Sequence, residues 1–495
     1  MSGREWSARG EGVDPPRDRA YAEVRRLLGG EGVRVGVLSG PRGRGKTSLL
    51  RAATAGVEGD LLHAELSPLP EGALLEDLHL LTARTLGPLP APLRRGALPL
   101  ASDSEGSWLA LLVGLVDRIR DSRRPLVLIL DGFDHLLAAR RLIALELGEV
   151  LASARVDALP MALLLTARDP RGLREVIGEG ELLGAPQLSL ELPPLGYREA
   201  GWGHGGSDAR DAFLRWSLLG DDPARLQKTQ AELPLEQVIR DRVLDPAGDL
   251  SDAPLLRLET TFQKPARYAA ILRALAPGPL DWSGILARVH GIDAGGQLAP
   301  YMQRLEEEGL VRVSQPLDAP PGSRARRYSV ADPFDAFWFG WILPRRSLLG
   351  QVQGVEGRKR FWREELLPHL DTHFQNWMEV AARRWIEEHG EEGLGAPARE
   401  VGSLWGEGIE IPVAGRLANG QVCIGIVAWG AGGGGAIERL DRGMRESRYG
   451  FGWQARAPLL FYGVPPDVEV RRFVARDPMA RVIGFDQLMG RRFGG

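Results

Sequence analysis

The chain has 495 residues, room for about three domains at roughly 150 residues each. Hydrophobic residues make up 44% and charged residues 26%, and the formal net charge of −3 excludes a uniformly basic, DNA-coating protein while leaving room for a local basic patch. The single cysteine, Cys423, excludes a disulfide framework and a cysteine-based zinc site, so a reducing, cytoplasmic setting is expected.

No apolar run is long enough for a transmembrane helix, and the charged N-terminus has no apolar centre of a signal peptide. Lysine occurs only at Lys46, Lys228, Lys264 and Lys359, so a lysine inside a motif stands out.

From about 17 to 250 strands alternate with helices. Val33–Leu38 is a short β-branched run, Leu61–Leu66 a second strand, and Trp108–Ile119 has helical apolar spacing. Pro125–Leu130, Met161–Leu165 and Gln187–Leu192 read as further strands. That order predicts an α/β fold with a parallel sheet covered on both faces. The proline- and glycine-rich stretch 86–107 reads as a surface loop. From 199 to 262 the pattern is helical. From 265 to 331 three short helices precede two strands, Leu310–Val313 and Arg327–Val330, the order of a winged helix. From about 350 onward the chain is mixed α/β, with a flexible glycine run at Gly430–Gly435.

Gly40-Pro41-Arg42-Gly43-Arg44-Gly45-Lys46-Thr47 matches G-x-x-x-x-G-K-[ST] between a predicted strand and a predicted helix, Thr47–Ala55. The glycines let backbone N–H groups turn inward around a phosphate, and the helix N-terminus adds positive potential. Lys46 is placed to reach the β- and γ-phosphates of ATP, Thr47 to hold Mg²⁺, and Ser48 to sit beside them. A carboxylate after the apolar strand Leu126–Leu130 emerges at the sheet edge, which makes Asp131 the second Mg²⁺ ligand. Asp134, three residues on, either orients the attacking water or caps a helix. Thr166 and Arg168 follow the strand Leu163–Leu165 in the same way and can contact the γ-phosphate or the water.

In order, GPRGRGKTSLL, LVLILDGFD, LLLTARD and LELPPLGYREA resemble the STAND and archaeal-ATPase branch of the AAA-type P-loop ATPases. Leu218–Leu226, LLGDDPARL, resembles that family's lid segment, which implies that Pro223 packs near the adenine. Arg17–Leu28 resembles the helix that helps seat the base. Tyr301–Val311 and RYSVADP followed by Phe337-Trp338-Phe339 are similar to the family's winged helix and the signature after it. The resemblance spans roughly 17–345 by motif, and almost the whole chain by order. It implies a P-loop core at 17–198, a helical lid at 199–262, a winged helix at 263–345 and a nuclease-like α/β domain at 346–495. One departure bears on turnover: the glutamate usual after the metal aspartate is Gly132 here.

In the tail, Glu379 fits the nuclease helix glutamate. The metal aspartate position holds Pro412, and the Glu-x-Lys positions hold Ile426 and Ala428, which cannot coordinate Mg²⁺. Glu379 and Glu410 remain, and the resemblance implies a dead nuclease. In the winged helix, Gln297, Gln303 and Arg304 lie on the candidate recognition helix Ala294–Glu308 beside Glu306–Glu308, which repel phosphate, while Arg324, Arg326 and Arg327 on the wing attract it. His369 and His373 share a helix spacing, but zinc is the lesser reading. The expectation is an Mg-dependent ATPase acting as a slow nucleotide-dependent switch with a protein partner. The alternatives are a DNA-binding ATPase working through the winged helix and a nucleotide-bound scaffold without turnover. Oligomerisation stays open, and no membrane partner is expected.

Overall fold

The computed structural model describes residues 16–41, 43–89, 107–168, 186–229, 232–289, 295–320, 322–406, 408–430, 433–447, 449, 456–463 and 466–490. Arg42 of the phosphate loop, Asp169, Ala294, most of the 86–107 loop and part of the glycine run lie outside them. The chain divides into two compact units, Met1–Leu195 and Gly196–Gly495. Among the described residues no helix is long and apolar enough to cross a membrane.

The first unit runs α1 (Pro16–Leu28), β1 (Val33–Ser39), α2 (Lys46–Thr54), β2 (Asp60–Glu65), α3 (Glu71–Leu86), α4 (Trp108–Ser122), β3 (Leu126–Asp131), α5 (Phe133–Ala139), α6 (Ile143–Val156), β4 (Met161–Ala167) and β5 (Leu188–Glu191). The strands form one parallel sheet of order β2-β3-β4-β1-β5. β1, β3 and β4 are buried along their whole length, so they read as continuous apolar runs rather than alternating ones. Alternate residues still serve different cores. Leu126, Leu128 and Leu130 join one core with α3, α4 and α6, while Val127 and Ile129 join the other with α1 and α2. Gly36 interrupts β1 because a Cβ there would come within 2.7 Å of the Leu27 and Leu164 side chains, where α1 lies on the sheet.

The second unit opens with helices, including Tyr197–Gly203, Ala209–Leu219, Pro223–Gln227 and Ala253–Thr261. Three more, Pro265–Leu275, Trp282–Arg288 and Gly295–Glu307, precede the antiparallel pair β6 (Val311–Ser314) and β7 (Arg327–Val330). Phe337, Trp338 and Phe339 are fully buried, as their apolar character predicts. Beneath them lies an ionic cluster. Arg225 pairs with Asp332 and lies 4.8 Å over the Phe334 ring, and Arg257 pairs with Asp335. Burial alone would raise the Asp332 carboxyl, but Arg225 and Arg257 outweigh it and hold the group below the usual carboxylate range.

The long helix Asp371–Leu394 leads into a mixed sheet built from β8 (Ala398–Gly406), β9 (Ile409–Leu417), β10 (Val422–Ala428), β11 (Arg456–Tyr462) and β12 (Arg481–Ile483). Its order is β12-β11-β10-β9-β8; β8–β9 and β9–β10 are antiparallel, and β10–β11 and β11–β12 parallel. Between β8 and β9 the chain reverses with Gly406 and Gly408 at φ 119° and 85°. Cys423 is buried in β10, which pushes its thiol up to about 12.

Candidate nucleotide and magnesium site

The site lies at the carboxyl ends of β1, β3 and β4, where a parallel sheet leaves its loops free for a ligand. β1 ends at the phosphate loop, which runs into α2. Gly40, Gly43 and Gly45 have φ of 140°, 82° and 77°, conformations a side chain would resist. Gly45 is the N-cap of α2 and provides no side-chain cap, so the helix start is left for an anion. From α1, the buried Arg17 guanidinium donates to the Arg44 carbonyl and ties the loop down.

Lys46 folds over this loop. Its Nζ donates to the carbonyls of Gly40 at 2.5 Å and Pro41 at 3.1 Å. Burial pulls the ammonium down to about 8, against the opposing pull of Asp131 and Asp134. Ser48 follows in the first turn of α2.

Asp131 ends β3 and gathers three side chains. Thr47 Oγ1 donates to its Oδ2 at 2.5 Å, and Thr166 Oγ1 to its Oδ1 at 2.5 Å. His63 Nε2, from β2, stands 3.4 Å from Oδ2. Thr166 in turn accepts the Gly132 N–H at 2.8 Å, so it fixes both the acid and the backbone after it. Burial alone would raise the Asp131 carboxyl, but the hydrogen bonds from His63, Thr166 and Thr47 outweigh it and hold the group below its ordinary value. The acid is ionised and aimed.

This donor set suits Mg²⁺: one hydroxyl and one carboxylate, both hard oxygens, converging on one point. Among the described residues no three His, Cys, Asp or Glu side chains could hold a metal by themselves. An ion at Thr47 and Asp131 would need further ligands from outside these two side chains.

Asp134 lies in the first turn of α5, and its Oδ2 accepts from Arg168 Nε at 2.7 Å. Asp134 Oδ1 is buried with no hydrogen-bond partner among the described residues. Between the two acids, Gly132 has φ 90°, and a Cβ there would lie 2.7 Å from the Leu66 carbonyl oxygen. The backbone itself thus excludes the glutamate expected after Asp131.

Thr47 and Thr166 both bond to Asp131, Lys46 lies over the phosphate loop, and Asp134 pairs with Arg168. Pro223 belongs to the second unit, where it opens the helix Pro223–Gln227 and Asp222 caps Ala224 N at 2.8 Å. Sequence reasoning missed His63. Its signal was a histidine inside an apolar strand, and only the pairing of β2 with β3 gives that position meaning.

In the second unit the tail acids do not meet as a metal site. Glu379 accepts from Gln375 Nε2 at 2.9 Å, Glu410 accepts from Arg327, and the Pro412 carbonyl accepts from Arg383. Ile426 and Ala428 are buried in β10. His373 Nε2 is 2.7 Å from the Ser217 carbonyl oxygen, a core contact. On the helix Gly295–Glu307, Gln303 and Arg304 bond to Glu307 at 2.9 and 3.0 Å.

No family model matches the chain, and no curated protein does. Solved structures give distant similarity. A Walker-type ATPase of Pyrococcus abyssi is 18% identical over 65% of this chain and 95% of that one, with a TM-score of 0.40. The ORC2 protein of Aeropyrum pernix, solved as ADPNP–ADP complexes, is 20% identical over 69% and 96%, with a TM-score of 0.40. The ORC1 protein of Aeropyrum pernix in complex with DNA is 16% identical over 68% and 95%, with a TM-score of 0.32. A parallel sheet of order β2-β3-β4-β1-β5, with a G-x-x-x-x-G-K-T loop between its first strand and the next helix, is the fold of a P-loop NTPase.

Proposed function

We propose that this chain binds Mg-ATP and hydrolyses it slowly, as a STAND- or AAA-type switch whose nucleotide state governs a protein partner. The observation that carries the reading is the convergence of Thr47 and Asp131 beside Lys46. Thr47 and Asp131 would hold Mg²⁺, which when bound neutralises charge on the β- and γ-phosphate oxygens. Lys46, released from the Gly40 and Pro41 carbonyls, binds the same oxygens. Arg168 turns from Asp134 to the γ-phosphate and so distinguishes ATP from ADP. Asp134 then holds the attacking water. With Gly132 in place of a glutamate, no carboxylate directly follows Asp131, which supports slow turnover.

In this reading 199–262 is the lid, with Pro223 near the adenine, 263–345 the winged helix, and 346–495 a nuclease-like domain without activity. A DNA-coupled ATPase is the second reading, favoured by the exposed Arg324 and Arg326 on the wing. Against it, Arg304 is engaged by its own helix, and Arg327 by Glu410.

The test is ATP hydrolysis by the purified protein, with and without duplex DNA, beside Asp131→Ala. Slow turnover that Asp131→Ala removes and DNA leaves unchanged supports the switch. Turnover raised by DNA supports the second reading. Tight nucleotide binding with no turnover makes the chain a scaffold.

A further inference from the structure

The last described helix, Phe485–Met489, is five residues long, too short to hold its shape in water by itself. Only Gly484 separates it from β12, and Gly490 at φ 58° ends it. What shapes it is its docking. Leu488 and Met489 are fully buried, and the Phe485 ring lies 5.3 Å from the Phe213 ring and 5.9 Å from the Trp429 ring. Gly201 leaves the space that Met489 fills, since a Cβ there would lie 2.9 Å from Met489 Cε.

A helix end leaves its last carbonyls without partners in the helix. Here the donors come from the far end of the second unit. Tyr197 Oη donates to the Leu488 carbonyl at 2.7 Å. Arg198 donates through Nε to the same carbonyl at 2.7 Å and through Nη2 to that of Gln487 at 2.8 Å, both charge-assisted bonds. Trp202 Nε1 donates to the Met489 carbonyl at 3.0 Å. Trp385 Nε1, from the helix Asp371–Leu394, adds a bond to Gln487 at 3.1 Å. Tyr197, Arg198 and Trp202 all belong to the helix Tyr197–Gly203, which opens the second unit and packs closely on the helix Ala209–Leu219: a Cβ on Gly201 would lie 2.4 Å from the Ala212 carbonyl oxygen.

We propose that Phe485–Met489 is a strap. It is helical only while docked on Tyr197–Gly203, and through it the tail restrains the helices that open the lid segment. Releasing the strap loosens those helices, so bound nucleotide leaves faster. The effect on nucleotide rests on the reading of 199–262 as the lid, whereas the hold of the strap on Tyr197–Gly203 does not. The nuclease-like domain, without its metal acids, thereby sets how long nucleotide stays bound.

The experiment uses the full chain as wild type, Phe485→Ala, Phe485→Leu and Trp202→Phe, which keeps a ring and removes the bond to Met489. Amide hydrogen exchange is followed in peptides 197–203 and 485–490, with β10 as the control for the rest of the tail. In Phe485→Ala both peptides should exchange about tenfold or more faster while β10 is unchanged. Trp202→Phe should speed both by about threefold to tenfold, the worth of one hydrogen bond, and Phe485→Leu should lie close to wild type. In the same samples, ADP carrying an N-methylanthraniloyl fluorophore is bound and chased with plain ADP. It should leave severalfold faster from Phe485→Ala and Trp202→Phe, with association not slowed. Faster exchange in 485–490 alone, with 197–203 unchanged, overturns the strap. Unchanged release of nucleotide when both peptides are loosened overturns its control of the lid. If wild type binds no nucleotide, the lid reading fails and hydrogen exchange alone decides the strap. If β10 also loses protection in Phe485→Ala, Trp202→Phe decides.

Discussion

Arg168 Nε donates to Asp134 Oδ2 at 2.7 Å, and this pair joins the end of β4 to the start of α5 at the mouth of the nucleotide site. Each partner neutralises the other while no third phosphate is present. Arg168→Ala should therefore narrow the preference for ATP over ADP by roughly tenfold, the worth of one charge-assisted hydrogen bond. Lys46→Ala should weaken both nucleotides together. Paired ATP and ADP titrations check this, and an unchanged ratio in Arg168→Ala would remove Arg168 from the γ-phosphate.

Gly132→Glu restores the residue usual after the metal aspartate and should nevertheless not speed hydrolysis. The position has φ 90°, and a Cβ would press on the Leu66 carbonyl at 2.7 Å. The left-handed conformation alone costs roughly 1–2 kcal/mol. The expected variant melts earlier and turns over ATP no faster than wild type. Faster turnover with an unchanged melting temperature would count against this account.

Acid should destabilise the second unit through two core imidazoles. Burial holds His204 down to about 3 and His373 down to about 4, from the usual 6.5. Below pH 6.5 the unfolded chain takes up protons that the folded chain refuses. Their contribution is full above about pH 6.5 and is lost as pH falls through about 4 for His373 and about 3 for His204. Each contributes a few kcal/mol at most. His373→Gln keeps a donor for the Ser217 carbonyl and cannot titrate, so its urea midpoint should fall less between pH 6.5 and 4 than that of wild type.

Arg225→Met should cost roughly 3–5 kcal/mol, because it leaves Asp332 buried without its main partner. Arg225→Met with Asp332→Asn should recover part of that loss, since asparagine removes the uncompensated charge and keeps an acceptor for the Asp335 N–H. Denaturant curves of the two single variants and the double variant measure the coupling. Additive losses would mean that the two residues act independently.

The phosphate loop could be read from the chain because its chemistry is local. Eight consecutive residues supply the glycines, the lysine and the threonine. Asp131 and Thr166 could be placed too, since a polar residue after a continuous apolar strand has to emerge at the sheet edge. Their mutual hydrogen bond could not be read, because it depends on β3 lying beside β4. His63 was hidden for the same reason, with β2 beside β3. The Arg17 contact to Arg44 needs α1 folded back over the loop.

Arginine carries nearly all the positive charge of this protein, and the four lysines are widely spaced along it. One of them, Lys46, has its amine brought down to about 8 by burial. At mildly alkaline pH a large share of that amine is unprotonated and nucleophilic, whereas an ordinary lysine stays charged. An amine-directed acylating reagent should therefore mark Lys46 ahead of Lys228, Lys264 and Lys359, and bound ATP should shield it. Peptide mapping after brief labelling would turn the scarcity of lysine into a direct reading of how full the phosphate loop is.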